Sequence, residues 1–251
     1  MIVQETQSKK ILVRSRIQEK TYCLNPYIGC QHGCLYCYAT FMRRFTGHRE
    51  RWGQFVDVKI NSPDLLAKEV QRAHQWEVII SSVTDPYQPL ERRYKLTRQC
   101  LKILLNHKLP VSILTKSVLV TRDVDLLRGF EHCEVGLTIT TDNDNIRKLF
   151  EPRSSPIPER IKALATLHRC GIRTYAFIGP ILPQNPQNLA QQLLGTVDFV
   201  YIDCMNYKGK VASHYRRFRL ESGLRPAFFH HISQSLKAVF TSEGIETRVL
   251  F

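Results

Sequence analysis

The stretch Asn25-Pro-Tyr-Ile-Gly-Cys-Gln-His-Gly-Cys-Leu-Tyr-Cys-Tyr-Ala39 decides how the rest of the chain is read. Its cysteines, Cys30, Cys34 and Cys37, are spaced C-x3-C-x2-C and follow an apolar run that predicts a strand at Thr21–Ile28. Gly29 and Gly33 give the loop the backbone freedom and close approach needed to wrap an inorganic group. A cubane iron–sulfur cluster held wholly by protein takes four thiolates, so three closely spaced ones leave one iron open to another ligand. Two other chemistries use such residues. A structural zinc site needs four protein ligands, and the nearby fourth is His32, set between two of the cysteines where closure is awkward. Cys34 and Cys37 alone make a redox C-x-x-C pair, but Cys30 then has no role and the thioredoxin order of elements is missing.

Around this loop the composition is that of a globular enzyme. The chain has 251 residues, 43% of them hydrophobic, which suits one catalytic domain with a core over about 21–206 and a C-terminal helical extension over 207–251. No apolar run approaches the roughly 18 residues of a membrane span, and the amino terminus lacks an apolar segment followed by a cleavage site. The expectation is a cytoplasmic protein with reduced thiols. Cys23, Cys100, Cys133, Cys170 and Cys204 lack ligand spacing and read as small buried apolar residues. Thirty-six Lys and Arg against twenty-two Asp and Glu leave a charge of +14, a field that attracts nucleic acid or other anionic macromolecules.

Past residue 20, apolar runs alternate with helical patterns, the signature of βα units on a parallel sheet. Strands are predicted at Thr21–Ile28, Val78–Val83, Val111–Thr115, Glu134–Thr140, Thr174–Ile178 and Phe199–Asp203, with a further candidate at Phe55–Ile60. Helices are predicted at Pro63–Trp76, Thr97–Asn106, Asp123–Phe130, Asp142–Phe150, Pro158–Cys170, Pro186–Gly195 and Pro226–Thr241, several opened by Asp or Pro. Six βα units are too few for a closed eight-stranded barrel. The fold class is therefore α/β, a partial (β/α)6 barrel with its active-site loops at the carboxyl ends of the strands. Phe45–Gly53 and Asn206–Leu224 read as long surface segments.

The loop resembles the signature of radical S-adenosylmethionine (SAM) enzymes, and the string NPYIGCQHGCLYCYA resembles the spore photoproduct lyase-like branch. The resemblance covers roughly Tyr22 to Asn206. It implies a 4Fe-4S cluster on Cys30, Cys34 and Cys37, SAM chelating the open iron, and cleavage of SAM to a 5'-deoxyadenosyl radical that abstracts hydrogen from a substrate. An electron donor of flavodoxin or ferredoxin type is implied as a partner, and Tyr36 is expected against the adenine. Thr84 and Asp85, ahead of Pro86 in Ser-Ser-Val-Thr-Asp-Pro, match a hydroxyl–Asp pair that contacts the methionine part of SAM; an Asx-type turn is the plainer reading of the pair.

Further strand ends carry the remaining candidates. Lys116 is placed to pair with the SAM carboxylate, and Thr140 is the hydroxyl nearest the edge of its strand. Arg153 is a candidate clamp for a carboxylate or phosphate. Gly179 marks a close backbone approach to adenine, and Cys204 is a candidate hydrogen-atom donor or thiyl site. One position departs from the branch: photoproduct lyases carry a hydrogen-donating cysteine shortly before the hydroxyl–Asp pair, and here that place holds Ser82, whose O–H bond is too strong. Repair of thymine dimers by that route is not expected, while lesion repair on DNA or RNA stays open. Its support is the charge and the interleaved His214-Tyr-Arg-Arg-Phe-Arg219. A non-enzymatic cluster- or zinc-bearing nucleic-acid-binding module is the third reading.

Overall fold

The computed structural model describes residues 1–16 and 18–251. Its strands are β1 Ile2–Thr6, β2 Leu12–Arg14, β3 Thr21–Leu24, β4 Tyr27–Ile28, β5 Phe55–Lys59, β6 Glu77–Ile80, β7 Val111–Thr115, β8 Cys133–Thr138, β9 Arg173–Ile178, β10 Phe199–Ile202 and β11 Glu246–Val249. The larger sheet has the order β11-β10-β9-β8-β7-β6-β3-β2. From β3 to β11 every pairing is parallel, and β2 covers the far edge antiparallel to β3. β2 and β11 do not pair with each other, so the sheet is an open, partial barrel. A smaller sheet, β1-β5-β4, stands beside it.

The helices are α1 Ser62–Glu69, α2 Glu91–Tyr94, α3 Leu96–Asn106, α4 Val124–Leu127, α5 Asp144–Phe150, α6 Ile157–Arg169, α7 Pro186–Leu193, α8 Lys208–Arg217 and α9 Pro226–Ser242. Local chemistry sets their starts. The Asn143 side chain accepts from the Asn145 N–H at 2.9 Å, and the Asn185 side chain from the Asn188 N–H at 3.0 Å, each satisfying a donor that the first turn leaves unpaired. None of the helices is long and apolar enough to cross a membrane among the described residues.

Side-chain alternation along the strands builds two layers. Ile80, Ile113, Val135, Ala176 and Val200 share the helix-facing core with Leu101, Leu164, Leu167 and Leu189, each buried Leu, Ile or Val contributing about 1.5–3 kcal/mol. The alternating residues Tyr175, Phe199 and Tyr201 meet on the opposite face, with Tyr175 and Phe199 stacked at 5.0 Å. Gly136 makes room for them, because a Cβ there would stand 2.2 Å from the Tyr175 ring.

The departures from expectation have local causes. The first strand stops at Leu24 and the chain switches sheets, so that Tyr27–Ile28 pairs with β5. β6 ends at Ile80 because Ser81 takes φ +67°, which breaks an extended strand; Thr84 and Asp85 therefore lie out on a loop. The segment expected as a helical extension contributes a strand as well, since β11 adds to β10. Within the expected surface segment 206–224 the chain folds as α8, anchored by Tyr215. That ring is fully buried and lies 4.8 Å from Phe150, so it is no platform for a base; Phe218 is the exposed ring of that segment.

Candidate functional site

The three-cysteine loop leaves the carboxyl end of β3 through β4 and is strapped down by the loop that follows β6. The Thr84 hydroxyl donates to the Gly29 carbonyl at 2.5 Å, and the Gln88 amide donates to Thr84 at 3.1 Å. Gln88 accepts from the Gln31 N–H at 2.9 Å, and Gln31 in turn accepts from the Leu90 N–H at 2.5 Å. Gly29 has φ +86°, and a Cβ on it would stand 2.5 Å from the Phe55 carbonyl oxygen. Only glycine fits there.

Asp85 anchors this strap. Its Oδ1 accepts from Thr115 at 2.6 Å and from the Tyr87 N–H at 2.9 Å; its Oδ2 accepts from the Lys116 N–H at 2.8 Å and lies 3.2 Å from His32 Nε2. Burial alone would push its pKa up, but His32 and these donors hold the carboxyl well below the ordinary range. A carboxylate has about four acceptor directions, and all are taken. Asp85 and Thr84 thus position the loop.

Below the loop lies a buried charge cluster that sequence reasoning passed over. Glu151 and Arg160 are both fully buried and paired with each other. Glu151 also accepts from the hydroxyls of Tyr36 and Thr140, the latter at 3.0 Å. Arg160 donates to the Thr138 carbonyl at 2.7 Å and to Ser154. Against the penalty of burial, Arg160 and Lys116 hold the Glu151 carboxyl down to about 2. Burial and Glu151 together push the Tyr36 phenol well up. β8 ends at Thr138, the chain beyond turns inward, and the Thr140 hydroxyl is committed to Glu151 with no exposure.

Lys116 occupies the space between loop and cluster. Its Nζ is 3.4 Å from the Thr138 hydroxyl and 5.7 Å from the Tyr36 ring centre. Burial works against its charge, yet Cys34 and Glu151 raise its basicity overall. It is a half-buried cation with no carboxylate in salt-bridge contact among the described residues.

The other candidates fall elsewhere. Arg153 is exposed, but its guanidinium covers Gly33 and Gly53, where added Cβ atoms would lie 2.7 and 2.5 Å from Nη2. It packs the 45–53 segment onto the loop, and its carbonyl lies 3.2 Å from His32 Nδ1. Gly179 is covered by the Phe177 ring, 2.3 Å from a notional Cβ. Cys204 lies two residues beyond β10, half-buried against the core, with its Sγ 3.7 Å from Asn206. Ser82 is held from two sides, its hydroxyl by Asn25 at 3.4 Å and its carbonyl by the Tyr38 hydroxyl.

The donor set fits an iron–sulfur cluster. Cys30, Cys34 and Cys37 are free thiols, and burial pushes Cys30 up to about 12 and Cys34 well above the ordinary thiol range. Metal coordination deprotonates such thiols outright. No three His, Cys, Asp or Glu side chains among the described residues converge on a point for a single ion. A tetrahedral zinc site needs that convergence, whereas a cubane takes each thiolate on a different iron.

The comparisons agree with this geometry. The family model described as Radical SAM superfamily matches residues 24–192. An uncharacterized protein of Methanocaldococcus jannaschii is 40% identical over 203 residues, covering 80% of this chain and 76% of that one. A radical SAM Nalpha-GlyT isomerase of Pseudomonas phage M6 is 26% identical over 160 residues, 63% of this chain and 32% of its own. A spore photoproduct lyase mutant with bound AdoMet and dinucleoside spore photoproduct superposes with a TM-score of 0.66 at 14% identity, over 99% of this chain and 81% of that one. The chain belongs to the radical SAM superfamily.

Proposed function

We propose that Cys30, Cys34 and Cys37 hold a 4Fe-4S cluster, that SAM binds its open iron, and that the enzyme uses the product of SAM cleavage to abstract hydrogen from a substrate. The observation that carries this is three free thiols on one strapped loop, Cys30 and Cys34 buried and Cys37 half-buried, with the Lys116 ammonium beside them. When bound, the cluster supplies the electron that breaks SAM into methionine and a 5'-deoxyadenosyl radical. The chain's own part is positional. Thr84, Gln88 and Asp85 fix the loop, the Glu151–Arg160 pair fixes Tyr36, and Lys116 meets the SAM carboxylate. The segment 207–251 belongs to the same catalytic unit, since β11 ties it into the sheet.

A charge-assisted hydrogen bond is worth about 1.5–3 kcal/mol. Lys116→Ala is therefore expected to weaken SAM binding roughly ten- to a hundredfold with iron content unchanged. The measurement is a titration of the reduced protein's electron paramagnetic signal with SAM. Unaltered affinity would remove Lys116 from the site.

A second reading, nucleic acid as substrate, is favoured by one feature. A groove of about 1000 Å³ along β2 is lined by Lys10, Arg14, Lys68, Arg72 and His74. Its one acid, Glu69, is occupied by the Ile11 and Leu12 N–H groups at 3.2 and 2.7 Å. Charges on an edge strand also block edge-to-edge pairing, but that does not account for Lys68 and Arg72, which come from the α1 side. The crystallised lyase with a dinucleoside lesion supports the same reading. Binding should weaken linearly with log salt, with a slope of about −0.9 per phosphate on duplex DNA. Arg14→Ala with Lys68→Ala and Arg72→Ala should reduce the slope by about 1 per residue. No binding at low salt would turn the assignment toward a peptide or small molecule.

A further inference from the structure

Cys37 is the one cluster cysteine that is not fully buried, and the chain runs from it directly into a 3-10 helix over Tyr38–Phe45. The Lys210 ammonium donates to the Cys37 carbonyl and to Thr40, both at 2.6 Å. The outer face of the helix is apolar and basic. Phe41 and Phe45 are 39% and 67% exposed and pack edge to face at 6.4 Å. Beside them a groove of about 570 Å³ is lined by Arg43, Arg44 and Arg49. No carboxylate pairs with these three among the described residues: Arg43 and Arg44 donate only to the Glu50 and Phe41 carbonyls, while the Glu50 carboxylate lies 3.4 Å from His48.

Exposed rings among unpaired arginines fit either a nucleic acid or an acidic protein. Base stacking needs an open ring face, and Arg44 lies over both rings, 5.5 Å from each centre. The rings then present apolar edges inside a positive rim, the complement of an acidic protein surface with an apolar centre. The position also matters, because this surface is joined to the most exposed cluster ligand by one stretch of backbone and by the Lys210 ammonium, which bridges the Cys37 carbonyl and Thr40.

We propose that the Phe41–Arg44–Phe45 face is the docking surface for a small acidic one-electron carrier protein, which reduces the group held at Cys37. This rests on the function proposed above. The carrier's reduced flavin or iron–sulfur group is oxidised by one electron, and that electron ends in the cleavage of one SAM to methionine and the 5'-deoxyadenosyl radical. Electron-transfer complexes of this kind are small, under about 1,200 Å² of buried surface, and their association is salt-dependent.

The test pairs direct binding with two reductants on the cluster-loaded protein. Oxidised flavodoxin is titrated against wild type, Arg43→Glu/Arg44→Glu, and Lys102→Glu/Arg128→Glu, which makes the same charge change on exposed residues elsewhere. The expected result is at least tenfold weaker flavodoxin binding in the Arg43/Arg44 variant alone. With it goes a matching loss of deoxyadenosine formation driven by reduced flavodoxin at sub-saturating carrier, while dithionite-driven formation is unchanged. Equal flavodoxin affinity in wild type and the Arg43/Arg44 variant would overturn the docking surface, as would loss of nucleic-acid binding with flavodoxin binding intact. Absence of deoxyadenosine with dithionite in wild type would instead strike the proposed function, and the affinities would still decide the dock.

Discussion

Glu151→Ala is expected to lower the thermal unfolding midpoint by about 6–20 °C, read by calorimetry. The substitution leaves Arg160 charged, fully buried and without its carboxylate. Breaking a buried pair from one side costs about 3–5 kcal/mol, and for a chain of this size each kcal/mol moves the midpoint by about 2–4 °C. Replacing both partners together, as Glu151→Leu with Arg160→Met, should recover most of the loss, because no uncompensated charge remains. A pH dependence follows with a definite sign. The folded-state carboxyl is held at about 2, against about 4.3 when unfolded. Its contribution is thus complete above about pH 4.3 and is lost as pH falls toward 2. The gap in stability between wild type and Glu151→Gln should close over that window, and a gap that persisted at pH 2 would place the stabilisation elsewhere.

Cys34→Ala is expected to reduce the iron bound on anaerobic reconstitution from about four atoms per chain to a small fraction of that. Cys34 is buried at the centre of the loop, its backbone bonded to Cys37 and the next residue bonded to the Phe150 carbonyl at 3.0 Å. A cubane left with two protein thiolates loses a second iron position to solvent. Cys100 is fully buried in the core and Cys170 packs against it, so neither is a cluster ligand. Cys100→Ala and Cys170→Ala should keep their iron. Full loading of the Cys34→Ala protein would remove the three-thiolate assignment.

The parallel sheet was legible because its strands are short, mostly apolar, β-branched-rich runs bounded by turn residues, as at Phe199–Ile202. What stayed hidden were elements whose pairing is decided at long range. β11 is polar on alternate positions and pairs only because β10 offers an open edge, and β4 joins β5 across an intervening helix and loop. α8 is mostly basic, and its one strong anchor, Tyr215, looked like part of a nucleic-acid motif. Its burial against Phe150 comes from tertiary packing that no local pattern carries.

The cysteines of the site were legible because thiol spacing is itself the chemistry. The supporting residues were not, because a polar side chain reads alike whether it faces a ligand or a neighbouring loop. Thr84, Asp85 and Thr140 bond Gly29, Thr115 and Glu151, partners that no local pattern names. Arg160 did leave a signal. It occupies the buried stripe Ile157, Arg160, Ala163, Leu164 and Leu167 of α6, and an arginine inside an apolar stripe demands a buried acid, which Glu151 supplies.

The central claim is that this loop supports reductive cleavage of SAM. The direct measurement is to incubate the anaerobically reconstituted protein with dithionite and SAM and to quantify 5'-deoxyadenosine and methionine. The account predicts that both form in equal amounts with the wild-type protein and that neither forms with Cys34→Ala; intact SAM after incubation with fully cluster-loaded, reduced wild-type protein would contradict it.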